Sequence, residues 1–168
     1  MRIIKTVFLL IAMLMTLPID VQAQLKKSSN TEKVKSFTNG SVTLYKSVLE
    51  GGITVYSVSL RNNNRYLDNV VLHLGGNKEE MIKNLKDFSM ALADGKKGDH
   101  FDFSACGTDY SLSFDKVLGQ KCFDVSKPYS ISSDYGRFFK ATIDDIIKYF
   151  NESQSKEPIE KEDIQEYD

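Results

Sequence analysis

The chain has no tryptophan, only two cysteines and two histidines among 168 residues, and no surplus of positive charge. Each shortage removes a class of reading. Two cysteines in a protein of this size are not a disulfide framework. Zinc needs several converging nitrogen and sulfur ligands, and neither Cys-x-x-Cys nor His-x-x-x-His occurs. Nucleic-acid binding needs a basic surface that releases counterions from phosphate. Here 22 Lys and Arg stand against 23 Asp and Glu, a net charge of −1. A membrane-spanning helix needs about 20 apolar residues in a row, and no such run exists. Gly75-Gly76-Asn77 has neither the Gly-x-Gly-x-x-Gly spacing nor the Lys-Ser/Thr of a phosphate loop. No catalytic residue, cofactor site or metal site is therefore expected, nor any nucleic-acid partner.

What is present begins with an address. Arg2 and Lys5 open the chain, and Val7 to Leu17 is apolar except for Thr16. Pro18 ends that run, and Val21-Gln22-Ala23 offers a small-residue cleavage site before Gln24. This is the layout of a secretory signal peptide over 1–23. Its apolar run is too short to serve as an anchor, and Gln24 is not the Cys that lipid attachment needs. The expectation is an exported protein, periplasmic or secreted, with no stable membrane anchor after cleavage. The remaining 145 residues make one ordinary domain with a net charge near −2, since Arg2, Lys5 and Asp20 leave with the signal.

Residues 24–40 are polar and lysine-rich, and read as a flexible leader. A domain is expected over 41–152. Ser41–Leu49 and Ile53–Leu60 read as strands joined at Glu50-Gly51-Gly52, and Tyr66–Leu74 as a third. Asn77, with Glu80 three residues on, reads as the cap of a helix whose stripe is Met81, Ile82, Leu85, Phe88 and Leu92 and whose stop is Gly95. His100–Ala105, Tyr110–Phe114 and Lys121–Val125 alternate as three further strands. Ser132, Ser133 and Asp134 offer caps for a second helix with Phe138, Phe139, Ile143, Ile146, Ile147 and Phe150 on one stripe. Residues 153–168 read as an acidic disordered tail. The fold class expected is α+β: an antiparallel sheet in β3-α-β3-α order, two helices packed on one face, in a single domain. The two halves share an element order, although their residues do not align.

Few residues point to chemistry. Export would permit a disulfide between Cys106 and Cys122; the alternative is two small buried apolar side chains. Four and six residues apart along one strand, His100, Asp102 and Cys106 lie too far from one another for a nucleophile and its base. Asp99, Asp102, Asp109, Asp115 and Asp124 crowd the second strand block, where two carboxylates could flank a glycosidic bond. Arg61, Asn62, Asn63, Asn64 and Arg65 form a polar loop with two guanidiniums, the first choice for a contact loop. The expected function is a small exported, non-catalytic binding protein, such as an inhibitor or immunity-type protein with a protein partner. The alternatives are a small secreted hydrolase using paired carboxylates, or a structural or assembly component that self-associates through an edge strand.

Overall fold

Alternating apolar residues build two four-stranded sheets. A computed structural model describes residues 29–154. β1 (Ser29–Phe37), β2 (Val42–Leu49), β3 (Thr54–Leu60) and β4 (Val70–Gly75) form one sheet in chain order, followed by α1 (Lys78–Asp94). β5 (His100–Ala105), β6 (Thr108–Val117), β7 (Gln120–Ser126) and β8 (Gly136–Phe139) form the other, followed by α2 (Lys140–Gln154). All neighbouring strands are antiparallel. The α+β class holds, but two sheets stand where one was expected, and the order is four strands then a helix, twice, because each half gains a strand. The expected signal segment and the tail from Ser155 lie outside the described residues.

The two added strands correct two expectations. The stretch taken for a flexible leader supplies β1, which pairs with β2 from Ser29↔Leu49 to Phe37↔Val42. Its lysines hide it in the sequence, yet they suit a sheet edge, where charge and irregularity discourage further strand addition. The register slips between Lys33 and Lys35, and Lys35 Nζ lies 4.3 Å from the Tyr149 ring centre. At the other end, Phe138 and Phe139 belong to β8 and not to the helix. Phe138 pairs with Phe123 and is fully buried. β4 is also shorter than the alternation suggests. Tyr66, expected to start this strand, lies in the preceding loop and is 80% exposed.

Cross-strand rows make the core. Val42, Leu60 and Val70 form one row of the first sheet, and Leu44, Val58 and Leu72 the next. In the second sheet Phe114, Phe123 and Phe138 line up beside Leu112, Val125 and Gly136. Gly136 is where the sheets meet. A Cβ there would stand 2.6 Å from Leu60 Cβ and 3.2 Å from Val70 Cβ, so only glycine lets the two rows close.

The helices then cross-link the halves. α1 follows the first sheet, but Phe88 sets its ring edge-on to Phe103 at 4.8 Å and Phe123 at 5.9 Å, both in the second. α2 follows the second sheet, but Tyr149 meets Phe37 at 6.3 Å and Phe150 meets Tyr56 at 6.5 Å, both in the first. Neither half closes its core alone. α1 starts as expected: Asn77 Oδ1 accepts from Glu80 N at 2.8 Å, while Glu80 Oε2 accepts from Gly76 N at 2.8 Å. The stop at Gly95 has a packing reason, since a Cβ there would lie 2.6 Å from the Phe114 ring. Among the described residues no helix is long and apolar enough to cross a membrane.

Candidate functional site: the paired loops

Two connections are long. Residues 61–69 join β3 to β4, and 127–135 join β7 to β8, at equivalent places in the two halves. They lie against each other. Asn62 forms an antiparallel bridge with Gly136, and Asn63 N donates to Tyr135 O at 2.8 Å. The buried Asn62 side chain donates from Nδ2 to Asp68 O at 2.9 Å and to Asp134 Oδ1 at 2.8 Å, and its Oδ1 accepts from Asn64 N at 2.9 Å. Asn64 Nδ2 donates to Ser133 Oγ at 3.3 Å, and Asn64 Oδ1 accepts from Tyr66 N at 3.1 Å. The expected contact loop therefore divides into roles. Asn62 and Asn64 are fasteners; Arg61, Asn63 and Arg65 are the exposed members.

Sequence reasoning missed the second loop. Ser132, Ser133 and Asp134 do not cap a helix: Ser133 and Asp134 hold the first loop's asparagines. The signal was present in the Pro128 to Asp134 run of turn formers. The second loop's Tyr129 is one of five described non-glycine residues with positive φ, Leu118 in the turn between β6 and β7 being another exposed bulky one. Tyr129 has φ 64°, in the left-handed region that bulky residues avoid, and is 106% exposed. Ile131 is also exposed, as are Tyr66 and Leu67 on the first loop. Strained, exposed aromatic residues cluster where proteins make contacts, because nothing in the fold itself rewards them.

Two clefts flank the loop pair. One, of about 340 Å³, is lined by Arg61, Arg65 and Arg137 with Asn63, Ser41 and Phe139. Arg137 Nε donates to Asp124 Oδ1 at 3.2 Å, and its Nη2 donates to Tyr135 Oη at 3.0 Å. Burial pulls Arg137 down, but Asp124 and Tyr135 outweigh it and hold the guanidinium above its ordinary value. Burial likewise pushes the Asp124 carboxyl up, against the opposing pull of Arg137. The other cleft, of about 640 Å³, is lined by Asp102, Ser104, Asp109, Lys127 and Tyr129 among others. The register Asp102↔Ser111 and Ser104↔Asp109 puts both carboxylates diagonally on one face, and Ser104 Oγ donates to Asp109. The remaining acids of that block lie apart from this cleft: Asp99 accepts from Lys96 N, Asp115 from Lys116 N, and Asp124 holds Arg137.

The cysteines are not brought together. Both are free, Cys106 exposed and Cys122 buried. Cys106 and Gly107, both with positive φ, form the tight turn between β5 and β6. Cys122 lies opposite Asp115, seven residues along β6 from that turn's end, or roughly 20 Å or more away. A disulfide needs Cα atoms within about 7 Å, so of the two possibilities the bridge does not form and both thiols stay free. Burial, Asp124 and Asp115 push the Cys122 thiol up to about 11. Partial burial of the sulfur and the nearby Glu80 also raise Cys106, against a backbone hydrogen bond from Gly75. Neither is an activated nucleophile. Among the described residues no three His, Cys, Asp or Glu side chains converge on a cation site. Comparison with protein-family models, with curated proteins and with solved structures found no match.

Proposed function

We propose that this is an exported, non-catalytic binding protein whose contact surface is the tip made by residues 61–69 and 127–135. The observation that carries the reading is Tyr129, a fully exposed tyrosine held in the left-handed conformation on a loop fastened to its neighbour. Left-handed backbone costs a non-glycine residue roughly 1–3 kcal/mol, and such strain gathers at functional sites. Tyrosine and arginine are the residues that dominate protein-contact energetics, and the tip offers Tyr66, Tyr129, Arg61 and Arg65. The fastening supports the reading too. A pre-ordered loop loses less entropy on binding than a free one. An inhibitor or immunity-type role fits a rigid tip of this kind, and the signal-like residues 1–23 support a partner outside the cytoplasm.

The test is capture from the exported fraction with the parent chain, with a Tyr66→Ala/Tyr129→Ala variant, and with a Lys97→Ala/Lys116→Ala control. A reproducible partner kept by the control and lost with the tyrosines is the expected result. Equal capture by all three chains, or no reproducible partner, overturns the reading.

One observation favours a second reading. Asp102 and Asp109 share one cleft and one sheet face, about 7–8 Å apart as diagonal neighbours. Two carboxylates on one face can flank a glycosidic bond, and the exposed Tyr129 in the same cleft is a surface for a sugar ring. A glycosidase activity abolished by both Asp102→Asn and Asp109→Asn would establish this reading in place of the first.

A further inference from the structure

We infer that the arginine cleft beside the paired loops is a docking site for an acidic segment of a protein partner, one carrying two neighbouring carboxylates. The inference rests on the binding reading above and adds the chemistry of what is bound. Arg61, Arg65 and Arg137 line the same cleft of about 340 Å³. They come from separate places: Arg61 and Arg65 from the first loop, Arg137 from β8. The Asn62–Gly136 bridge and the backbone bond from Arg61 N to Ser41 O, 3.0 Å, hold these segments together.

Guanidiniums repel one another, so three around one cleft favour an anion beside them. The nearby carboxylate, Asp124, is engaged by Arg137 alone. Among the described residues neither Arg61 nor Arg65 has a carboxylate within 4 Å. Arg65 instead lies over Tyr66, 4.8 Å from its ring centre, and donates to that hydroxyl. A guanidinium held this way on a neighbouring ring keeps donors beyond the one given to the Tyr66 hydroxyl. The exposed Asn63 adds neutral donors between the two arginines. Planar forks of this kind match carboxylates in a bidentate way. Arg61 and Arg65 stand on an exposed loop whose next residue, Tyr66, is also exposed, which favours an extended acidic segment over a small enclosed anion.

The experiment titrates the full chain into a fluorescein-labelled peptide of alternating Asp and Glu and follows anisotropy at 50 mM and 300 mM NaCl. A Gln/Asn version of the peptide is the neutral control, and inorganic phosphate is the competitor. The variant is Arg61→Glu/Arg65→Glu. Lys97→Glu/Lys116→Glu matches its change in net charge. The expected result is binding of the acidic peptide alone, weakened by salt as screening shortens the reach of the charges. The arginine variant should lose at least about tenfold and the lysine variant under about threefold, with a tenfold loss corresponding to about 1.4 kcal/mol. Displacement by phosphate supports the shared oxyanion chemistry. Equal losses in both variants, equal binding of the neutral peptide, or phosphate binding without peptide binding overturns the inference. Arg61→Gln/Arg65→Gln, expected to fall between parent and reversal, replaces the Glu variant if circular dichroism shows that the latter is unfolded. Because the probe is not the natural partner, failure here removes the acidic occupant only. The paired-loop reading fails separately, in the capture experiment.

Discussion

Replacing Asn62 by alanine separates a fastener from a contact residue within one three-asparagine run. Asn62 is buried and makes three hydrogen bonds, to Asp68 O, Asp134 Oδ1 and Asn64 N. A neutral hydrogen bond contributes about 1 kcal/mol net, and one to a charged group about 1.5–3 kcal/mol. The Asp134 carboxylate is only partly buried and recovers some hydration when its donor is lost. Asn62→Ala should therefore destabilise by roughly 2–4 kcal/mol. Asn63 sits next in sequence, but its side chain is exposed and its bond to Tyr135 is through the backbone. Asn63→Ala should stay within about 0.5 kcal/mol of the parent. Urea unfolding followed by circular dichroism measures both. Limited chymotrypsin digestion adds the link to function: both tyrosines are already exposed, and losing Asn62 should loosen the two loops and make Tyr66 and Tyr129 cleavable together, because each loop is the other's support. If the two alanines destabilise alike, or if Tyr66 becomes sensitive while Tyr129 does not, the fastening argument is wrong.

The crossed helices predict one cooperative unfolding transition. Phe88→Ala, which empties the space beside Phe103 and Phe123, should cost about 3–5 kcal/mol and shift that single transition in calorimetry; two transitions with one unmoved would show that the halves fold independently. Burial and Lys127 hold the His73 imidazole below its ordinary value, and its Nδ1 is buried without a hydrogen-bond partner among the described residues. The unfolded chain then takes up the proton first on acidification, so stability should fall as pH drops through 6.5 toward the lower folded value. Chemical denaturation at pH 7.5 and pH 5 should show a larger difference for the parent than for His73→Phe. Ellman's reagent should titrate one thiol slowly in the native protein and two in denaturant; two unreactive thiols under both conditions would restore the disulfide. Gly136→Ala forces a Cβ against Leu60 and should destabilise by roughly 1–3 kcal/mol, read as a lower urea midpoint.

What the sequence displayed well was whatever local chemistry decides. α1 was legible because Asn77, Glu80 and the apolar stripe act within a turn or two of themselves; Gly95 marked its end correctly but for a distant reason, the Phe114 ring. β5, β6 and β7 were legible because period-two alternation survives wherever one face is buried. β1 and β8 were not. β1 is held by backbone bonds to β2 and needs little apolar surface of its own; among its described side chains Phe37 alone is buried. β8 is four residues whose aromatic pair suits a helix stripe equally well, until Gly136 is seen to sit between Leu60 and Val70 of the other sheet.

The loop tip shows the same boundary at the level of function. Composition marked 61–65 as a place for contacts, and Arg61 and Arg65 are indeed exposed. Composition did not rank the three asparagines, because their difference is set by Asp134, 72 positions from Asn62, and by Ser133, 69 positions from Asn64. Those same two residues read locally as helix caps. A side chain that can serve either its own backbone or a distant amide gives no hint of which it does. Tyr129 escaped notice for a related reason: exposure and a left-handed φ are properties of the finished fold. Arg137 completes the arginine cleft only because β8 is a strand beside the first loop; read as part of a helix, it would have had no connection with Arg61 or Arg65. The missed strand and the missed half of the candidate site are thus one error, and correcting the first produces the second.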